Sequence, residues 1–346
     1  MIDNSIVDEI LSTAAESRRL TSLIFEITNK CNLDCVHCYL GDKRNEKLEC
    51  IPLEKIVDVL KEAKKIGVFD IALTGGEVFT YKYWKELFAI IKNQGFNLVI
   101  FTNAVNLCEK DISYMKRIGV NTLKISCYGM NKETYEATTQ VSGSYEKYKE
   151  NIRLLNKYGI NHFFSNIVLS TNQNDYKEMI EKNGTKSMEL YIINDIQHSG
   201  NPIQYRPSEK IWNECHYEMM KNAKLDSDFW NDPSQYICTA GMARLTILPN
   251  GDVIPCVNLR IPVGNIYSDS LHQIWEGSKL AKVLQSFLVG KFEKCFNCPN
   301  KRYLTYVCPG SNYNDTGDYY LPSEFKCHLC EKNKEVIEGS INNKMN

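Results

Sequence analysis

The feature that most limits what this chain can fold into is a tight group of three cysteines. Cys31, Cys35 and Cys38 have C-x3-C-x2-C spacing within the run EITNKCNLDCVHCYLG, residues 26–41, and an apolar strand-like segment leads into them. Soft thiolate ligands favour iron–sulfur chemistry over harder metals, and three thiolates on one loop suit three corners of a cubane [4Fe–4S] cluster. The spacing therefore indicates a cluster whose fourth iron has no protein ligand.

A structural zinc ion is the alternative that this loop leaves open. Zinc usually takes four ligands in paired spacings, and the ring of His37 is the candidate for a fourth. A second, independent motif follows one strand–helix unit later. The segment DIALTGGEVF, residues 70–79, is a strand-like run that ends in Gly75, Gly76 and Glu77. A glycine pair after a strand is by itself only a turn signal.

Together the two motifs resemble the signature of radical S-adenosylmethionine (SAM) enzymes. In that family the open iron chelates the amino and carboxylate groups of SAM, and an electron from the cluster cleaves the sulfonium. The resemblance implies that the three cysteines of the loop hold the catalytic cluster. It also implies that Gly75 and Gly76 bring backbone close to the SAM amino group and that Glu77 helps to hold it.

Composition excludes several other classes of protein. The 346 residues are 43% hydrophobic and carry a formal charge of −1, so the chain can bury a large core and lacks the basic surface that nucleic acid requires. No apolar run is long enough to span a bilayer, and the first twenty residues lack a secretory signal. Fourteen cysteines in such a chain favour metal ligation in a reducing compartment over a disulfide framework. We expect a cytoplasmic protein that contacts neither membrane nor nucleic acid.

Residues 21–194 alternate short β-rich runs with stretches of helical period, as parallel βα units do. The sequence predicts an α/β fold, a partial (β/α)6 TIM-like barrel, with chemistry at the carboxyl ends of its strands. The predicted strands are Leu23–Thr28, Asp70–Thr74, Asn97–Asn103, Thr122–Ser126, His162–Leu169 and Met188–Ile193. The predicted helices are Pro52–Ile66, Trp84–Asn93, Glu109–Ile118, Tyr145–Tyr158 and Asn174–Lys182.

Small polar residues end the third and fourth predicted strands. In the radical SAM family such residues contact the ribose and methionine parts of SAM, which nominates Thr102, Asn103 and Ser126 as cofactor-binding. Strand-end capping is the alternative for each of them. Strand side chains alternate, so if Ser126 faces inward, Cys127 should face the outer helices and serve in packing.

A second cysteine zone occupies residues 238–330. In CTAGMARLTILPNGDVIPC an Asn-Gly turn joins two strand-like runs, which predicts a hairpin flanked by Cys238 and Cys256. The zone resembles the SPASM extension of radical SAM enzymes, whose pattern is C-x9–15-G-x4-C, C-x2-C-x5-C-x3-C and a final C. One position departs from it, because Leu304 stands where a cysteine is expected. The matching residues are Cys238, Gly251, Cys256, Cys295, Cys298, Cys308 and Cys327.

The SPASM extension holds up to two auxiliary [4Fe–4S] clusters. We infer that Cys330 replaces the ligand missing at residue 304, so that one cluster lies among Cys295, Cys298, Cys327 and Cys330. The resemblance then gives the other cluster three thiolates, from Cys238, Cys256 and Cys308. For the two C-x2-C pairs, a four-thiolate zinc site is the alternative. The expected organisation is a lead-in at 1–20, the barrel at 21–194, a connector at 195–236, a small α+β SPASM domain at 237–330 and a polar tail at 331–346.

The resemblance implies an oxidoreductase that cleaves SAM to a 5′-deoxyadenosyl radical and takes hydrogen from a peptide or protein. The product would be an oxidative modification such as a thioether or carbon–carbon crosslink, with the auxiliary clusters accepting electrons. Expected partners are the substrate, a reductant such as flavodoxin or ferredoxin, and a separate leader-binding protein, because little chain precedes Leu23. Alternatives are tetrapyrrole or quinone cofactor synthesis, epimerisation, a formylglycine maturase, which Val257 after Cys256 disfavours, and a non-enzymatic metal-binding scaffold.

Overall fold

A computed structural model describes residues 13, 17–40, 49–183, 187–192, 205–220, 229–304 and 307–345. Its strands form one nine-stranded sheet in the order β6-β5-β4-β3-β2-β1-β7-β8-β9. The first six strands pair in parallel with their neighbours in the chain. This topology confirms the predicted partial barrel. The strands are β1 Ser22–Glu26, β2 Asp70–Thr74, β3 Asn97–Thr102, β4 Thr122–Cys127, β5 His162–Val168, β6 Ser187–Ile192, β7 Arg244–Ile247, β8 Asp252–Ile254 and β9 Gly264–Asn265.

Helices connect the barrel strands and cover the outer face of the sheet. The first shows why: Ile56, Val59, Leu60 and Ala63 recur at helical spacing and are all buried, and the helix ends at Gly67, whose φ is 96°. The helices are α1 Leu53–Ile66, α2 Trp84–Asn93, α3 Glu109–Ile118, α4 Lys132–Thr139, α5 Ser144–Lys157, α6 Tyr176–Asn183, α7 Glu209–Met220, α8 Leu271–Trp275, α9 Ser278–Ser286, α10 Glu293–Phe296, α11 Pro309–Thr316 and α12 Glu324–Met345.

Helix α4 is absent from the sequence-based prediction. The segment KETYEATT has several β-branched and polar residues and little propensity of its own. Its helix depends on the side chain of Asn131, which accepts a hydrogen bond from the Thr134 N–H at 3.0 Å. It also depends on burial of Tyr135, Thr138 and Thr139 against the barrel. Tertiary packing has overridden a weak local signal here.

The predicted hairpin is present as β7 and β8, joined through Gly251 at a φ of 87°. The position of that hairpin was not predicted from the sequence. Strand β7 pairs in parallel with β1, from Ser22 opposite Arg244 to Phe25 opposite Ile247. The cysteine-rich part of the chain therefore extends the same sheet as the barrel.

The predictions for the chain ends and connectors have mixed outcomes. The polar tail expected at 331–346 is helical through Met345, as the continuation of α12. The predicted helical patch at Ile211–Ala223 corresponds to α7, and its last three residues lie outside the described residues. Most of the lead-in at 1–20 also lies outside them, as do residues 195–204 and 221–228 of the connector at 195–236. No helix among the described residues has the length and hydropathy needed to cross a membrane.

Candidate functional site

The cysteine loop, residues 31–38, lies at the carboxyl end of β1 and is held by backbone hydrogen bonds to α4. The N–H groups of Asp34 and Val36 donate to the carbonyls of Thr139 and Thr138, at 3.0 and 3.1 Å. The Cys38 N–H turns back to the Cys35 carbonyl at 3.1 Å. The helix that the sequence did not predict is therefore what fixes the backbone of this loop.

The three thiols of the loop lie close enough to interact. The pKa of Cys35 is raised well above its ordinary value, first by burial and then by the negative charges of Cys31 and Cys38. Thiolates held this way repel one another and need a cationic centre to offset their charge. The donor set therefore fits an iron–sulfur cluster bound through these three sulfurs.

The glycine pair after β2 packs against the segment that leads into the cysteine loop. The Gly76 and Glu77 N–H groups donate to the Thr28 and Lys30 carbonyls, each at 2.8 Å. A Cβ on Gly75, whose φ is 145°, would lie 2.2 Å from the Thr28 carbonyl oxygen, and one on Gly76 would lie 2.2 Å from that of Lys30. The chain's own backbone packing thus requires both glycines.

Glu77 is 1% exposed and accepts three hydrogen bonds. The Thr102 hydroxyl and the Phe79 N–H donate to its Oε1 at 2.8 and 3.2 Å, and the Asn103 N–H donates to Oε2 at 2.8 Å. Burial raises the pKa of the carboxyl to about 7, although the three hydrogen bonds favour its ionised form. Glu77 therefore ties the end of β2 to the end of β3.

Glu77→Gln tests this electrostatic balance in the protein without bound cofactors. A carboxyl with a folded-state pKa above its ordinary value stabilises the fold at low pH, and this stabilisation is lost as pH rises from about 4.5 to about 7. We expect the free energy of unfolding of the parent, minus that of Glu77→Gln, to fall by up to about 3 kcal/mol between about pH 5 and pH 8. Urea unfolding at several pH values measures this difference. Glu54→Gln, on an exposed face of α1, controls for the loss of one carboxylate, and a difference that grows with pH would contradict the prediction.

The strand-end residues nominated from the sequence converge on the same place. The Thr102 hydroxyl contacts Glu77, while the Asn103 side-chain amide donates to Asn32 Oδ1 at 3.0 Å and lies 4.0 Å from the Cys31 sulfur. The Ser126 side chain lies near the Tyr128 hydroxyl, which in turn lies near the Cys35 thiol. All three nominated residues therefore connect to the cysteine loop or to Glu77.

Cys127 and His37 are two further residues near this site that the sequence singles out. Cys127 is 1% exposed and its sulfur contacts the Gly129 carbonyl and the Met130 sulfur, which confirms its predicted packing role. His37 is partly buried, the desolvation of its ring lowers its pKa to about 4, and its Nδ1 has no hydrogen-bond partner among the described residues. Among the described residues, no three His, Cys, Asp or Glu side chains have the geometry of ligands to a single metal ion, as distinct from the larger iron–sulfur core that the three loop thiols fit.

A polar bridge that the sequence does not predict joins the barrel to the second cysteine zone. Glu26, the last residue of β1, is 1% exposed, and its Oε1 accepts from Arg260 Nη2 at 2.7 Å. The Arg260 guanidinium also lies 5.5 Å from the centre of the Tyr39 ring. The Tyr39 hydroxyl donates to the Gly75 carbonyl at 3.3 Å. Arg260 thereby connects Glu26 of β1 with Tyr39, and Tyr39 in turn contacts Gly75 of the glycine pair.

Removing Arg260 is expected to be costly because it leaves a buried carboxylate without its cation. We expect Arg260→Met to lower the free energy of unfolding by about 3 kcal/mol, and Glu26→Gln/Arg260→Met to recover much of that loss. Lys61→Met, which breaks an ion pair with Asp58 that is over 60% exposed on both sides, should cost less than about 0.5 kcal/mol. Chemical denaturation compares the four proteins. Equal losses for Arg260→Met and Lys61→Met would show that burial does not strengthen the bridge.

The cysteines of the second zone separate into two groups in space. The first thiol group is Cys238, Cys256 and Cys308, and burial with mutual repulsion raises the pKa of Cys238 to about 11. The first turn of α11, which follows Cys308, packs on the loop after Cys256: a Cβ on Gly310 would lie 1.7 Å from the Asn258 carbonyl oxygen. This contact requires a glycine at that position.

The second thiol group is Cys295, Cys298, Cys327 and Cys330. Burial is the main reason why the pKa of Cys295 is raised to about 11 and that of Cys330 to about 12. The charges of Cys298 and Cys327 also raise the pKa of Cys295, and the charges of the other three thiols raise that of Cys330. Leu304 packs against both the apolar core that contains Cys295 and the one that contains Cys330. The leucine that replaces a cysteine of the SPASM pattern therefore lies beside this group.

Two family models match the chain with these sites. The radical SAM superfamily matches residues 25–182, and the SPASM iron–sulfur cluster-binding domain matches residues 238–299. Residues 25–182 therefore form a radical SAM domain, and residues 238–299 form a SPASM domain. It is a radical SAM enzyme, and its cofactors are SAM and [4Fe–4S] clusters.

Individual relatives are distant. The chain is 23% identical over 294 residues to the sporulation killing factor maturation protein SkfB of Bacillus subtilis (strain 168), covering 79% of this chain and 69% of SkfB. It is 25% identical over 296 residues to the antilisterial bacteriocin subtilosin biosynthesis protein AlbA of the same strain, covering 81% and 65%. The chain thus spans about two thirds of the length of these relatives. Native anSMEcpe with bound AdoMet has the same fold, with a TM-score of 0.70, 19% identity and coverage of 94% and 100%.

Proposed function

We propose that this enzyme modifies a peptide or protein oxidatively, by joining a carbon of the substrate to a cysteine sulfur or to a second carbon. The observation that carries the proposal is the pair of thiol groups in the SPASM domain, beside a barrel that holds the cysteine loop. The similarity to SkfB and AlbA supports a peptide substrate, because one is named for maturation of a killing factor and the other for biosynthesis of a bacteriocin.

In this proposal Cys31, Cys35 and Cys38 hold the cluster that binds SAM. Gly75, Gly76, Glu77, Thr102, Asn103 and Ser126 form the adjoining SAM site. When bound, SAM and its cluster supply the radical that removes a hydrogen atom from the substrate. The contribution of the protein is placement, through the rigid contacts of Glu77 with the ends of β2 and β3.

The inner face of the sheet is the proposed substrate surface. Phe101 pairs with Lys124, and Lys124 with Phe163, on three neighbouring strands. These side chains are partly or fully exposed, whereas the alternating residues Ile100 and Ile125 are fully buried. One face of the sheet is thus packed and the other is accessible, and the accessible face carries aromatic rings, with the Lys124 ammonium 5.3 Å from the centre of the Phe101 ring.

The two thiol groups of the SPASM domain fit the electron balance of such a reaction. Forming a thioether from a C–H and an S–H group releases two hydrogens. Removal of one of them as a hydrogen atom would leave one proton and one electron to be carried away. We propose that the clusters bound by the first and second thiol groups accept that electron. An external reductant such as flavodoxin or ferredoxin supplies the electron that SAM cleavage consumes, and a separate protein presents the leader of the substrate.

The experiment uses the reconstituted enzyme under anaerobic conditions with SAM, reductant and a small cysteine-containing peptide encoded beside its gene. We expect the peptide to become lighter by two hydrogens and to resist thiol alkylation, with one 5′-deoxyadenosine formed for each modified peptide. Tandem mass spectrometry then locates the new bond. SAM cleavage without any change in the peptide would reject that substrate. An unchanged mass for every cysteine-containing and cysteine-free peptide encoded nearby would overturn the proposed function.

A further inference from the structure

The stretch that surrounds Cys295 and Cys298 is strongly basic. Residues 278–302 carry six basic side chains and one acidic side chain, Glu293, although the whole chain has 41 basic and 42 acidic residues. Such local asymmetry creates a positive surface potential that a near-neutral protein does not otherwise have. The basic residues are Lys279, Lys282, Lys291, Lys294, Lys301 and Arg302.

Part of this charge borders a surface cavity of about 580 Å³. Its lining includes Lys282 and Lys291, together with Gln285, Ser286 and Tyr320. Both lysines are exposed, and neither forms an ion pair within the described ranges. Two unpaired ammonium groups at the rim of a cavity make a surface that favours an anionic partner.

An aromatic contact connects this cavity to the second thiol group. The Tyr320 ring in the cavity wall lies 5.4 Å from the ring of Phe292, which is fully buried. Phe292 belongs to the same apolar core as Cys295. Lys294, next to Cys295 in the chain, acts electrostatically on its thiol. The cavity wall therefore packs against the apolar core that contains Cys295.

We propose that the surface formed by Lys282, Lys291 and Tyr320 docks an acidic one-electron carrier protein of the ferredoxin or flavodoxin class. This inference rests on the proposed function, which places a cluster at the second thiol group. A cluster held by Cys295, Cys298, Cys327 and Cys330 would pass one electron per turnover to the oxidised carrier, with no proton or bond transferred. The carrier thereby removes the electron that crosslinking releases.

The position of the surface favours a redox protein over an acidic segment of the substrate. A substrate must reach the inner face of β3–β5, whereas the cavity is formed by α9, the turn at Val289–Lys291 and Tyr320 of the SPASM domain. A peptide bound there would gain nothing from the contact with the core around Cys295. An electron carrier bound there would gain a short path for electron transfer to the second thiol group.

The test measures binding of an oxidised acidic ferredoxin to the reconstituted holoenzyme by biolayer interferometry at low and high salt. We expect K282E/K291E to weaken binding about tenfold or more at low salt, with a smaller difference at high salt. The matched control is K147E/K149E, on exposed positions of α5 toward the opposite end of the sheet, and it should bind like the parent. Equal weakening in both variants, or none in either, would overturn the proposal.

Two further measurements complete the test. The first is the rate at which ferredoxin reoxidises the dithionite-reduced enzyme, followed by stopped-flow absorbance. We expect this rate to fall in K282E/K291E while 5′-deoxyadenosine formation with a chemical reductant stays unchanged. The second uses a decaglutamate peptide: if it binds as tightly as ferredoxin with the same sensitivity to K282E/K291E, the surface is a peptide site and the proposal fails. Salt-dependent ferredoxin binding without any crosslinked product would instead reject the proposed function alone.

Discussion

Cys31→Ala/Cys35→Ala/Cys38→Ala is expected to reduce 5′-deoxyadenosine formation from SAM to background. The three thiols are the donor set of the cysteine loop, and without them nothing holds a cluster at the carboxyl end of β1. The auxiliary clusters should remain, so the variant should lose about four of its iron atoms and keep the rest. Chromatography of the reaction products and iron analysis after anaerobic reconstitution give both values.

The matched control for this variant changes two cysteines outside the three thiol groups. Cys50 and Cys108 are both exposed. Cys108 also caps α3 through Asp111, and serine preserves that cap. Cys50→Ala/Cys108→Ser should therefore make 5′-deoxyadenosine at the parental rate. If the triple variant with a full set of auxiliary clusters were as active as the control, the assignment of the loop would be wrong.

Cys330→Ala is expected to remove the cluster at the second thiol group and leave SAM cleavage intact. The Cys330 thiol lies among Cys295, Cys298 and Cys327, and no cysteine occupies residue 304 to take its place. We expect the iron content to fall by about four atoms and peptide modification to fall at least about a hundredfold. Iron analysis, electron paramagnetic resonance of the reduced protein and peptide mass spectrometry measure these effects.

A rescue variant separates loss of a ligand from general damage. Leu304 lies beside the same group, so Leu304→Cys/Cys330→Ala places a thiol where the SPASM pattern has one. We expect it to recover part of the lost iron. Cys215→Ala, a buried cysteine on α7 outside the three thiol groups, controls for removal of a buried thiol. Iron loss in Cys215→Ala equal to that in Cys330→Ala would contradict the proposed ligand set.

The barrel could be predicted because its signals are local. Each strand of the barrel is a short apolar run with a turn signal after it, and every predicted strand agrees with an observed one to within about two residues. The position of the cysteine loop and the glycine pair at the same edge followed from parallel pairing alone. The exceptions are elements with weak local signals, such as α4, whose helix depends on packing against the barrel.

The bridge from Arg260 to Glu26 could not be predicted, because 234 residues separate its ends and no periodicity marks them. A charged residue at the last position of an apolar strand was the one available signal, since burying it requires a partner. The grouping of the SPASM cysteines is different. It follows from a family resemblance, and the absence of a cysteine at residue 304 is what indicates Cys330 as the replacement ligand. In the structure Leu304 packs against the apolar cluster that contains Cys330.

The parallel pairing of β7 with β1 bears on how this protein can be divided. A cut before residue 238 would strip β1 of its neighbour and leave a row of free amide and carbonyl groups along the strand that leads into the cysteine loop. Such an edge invites pairing with other chains, so a truncated barrel is expected to aggregate. Exchange of SPASM segments between relatives faces the same constraint, since a donor segment must supply a strand in register with Ser22–Glu26. The join between the two domains is a shared sheet edge, and their sequences must change together there.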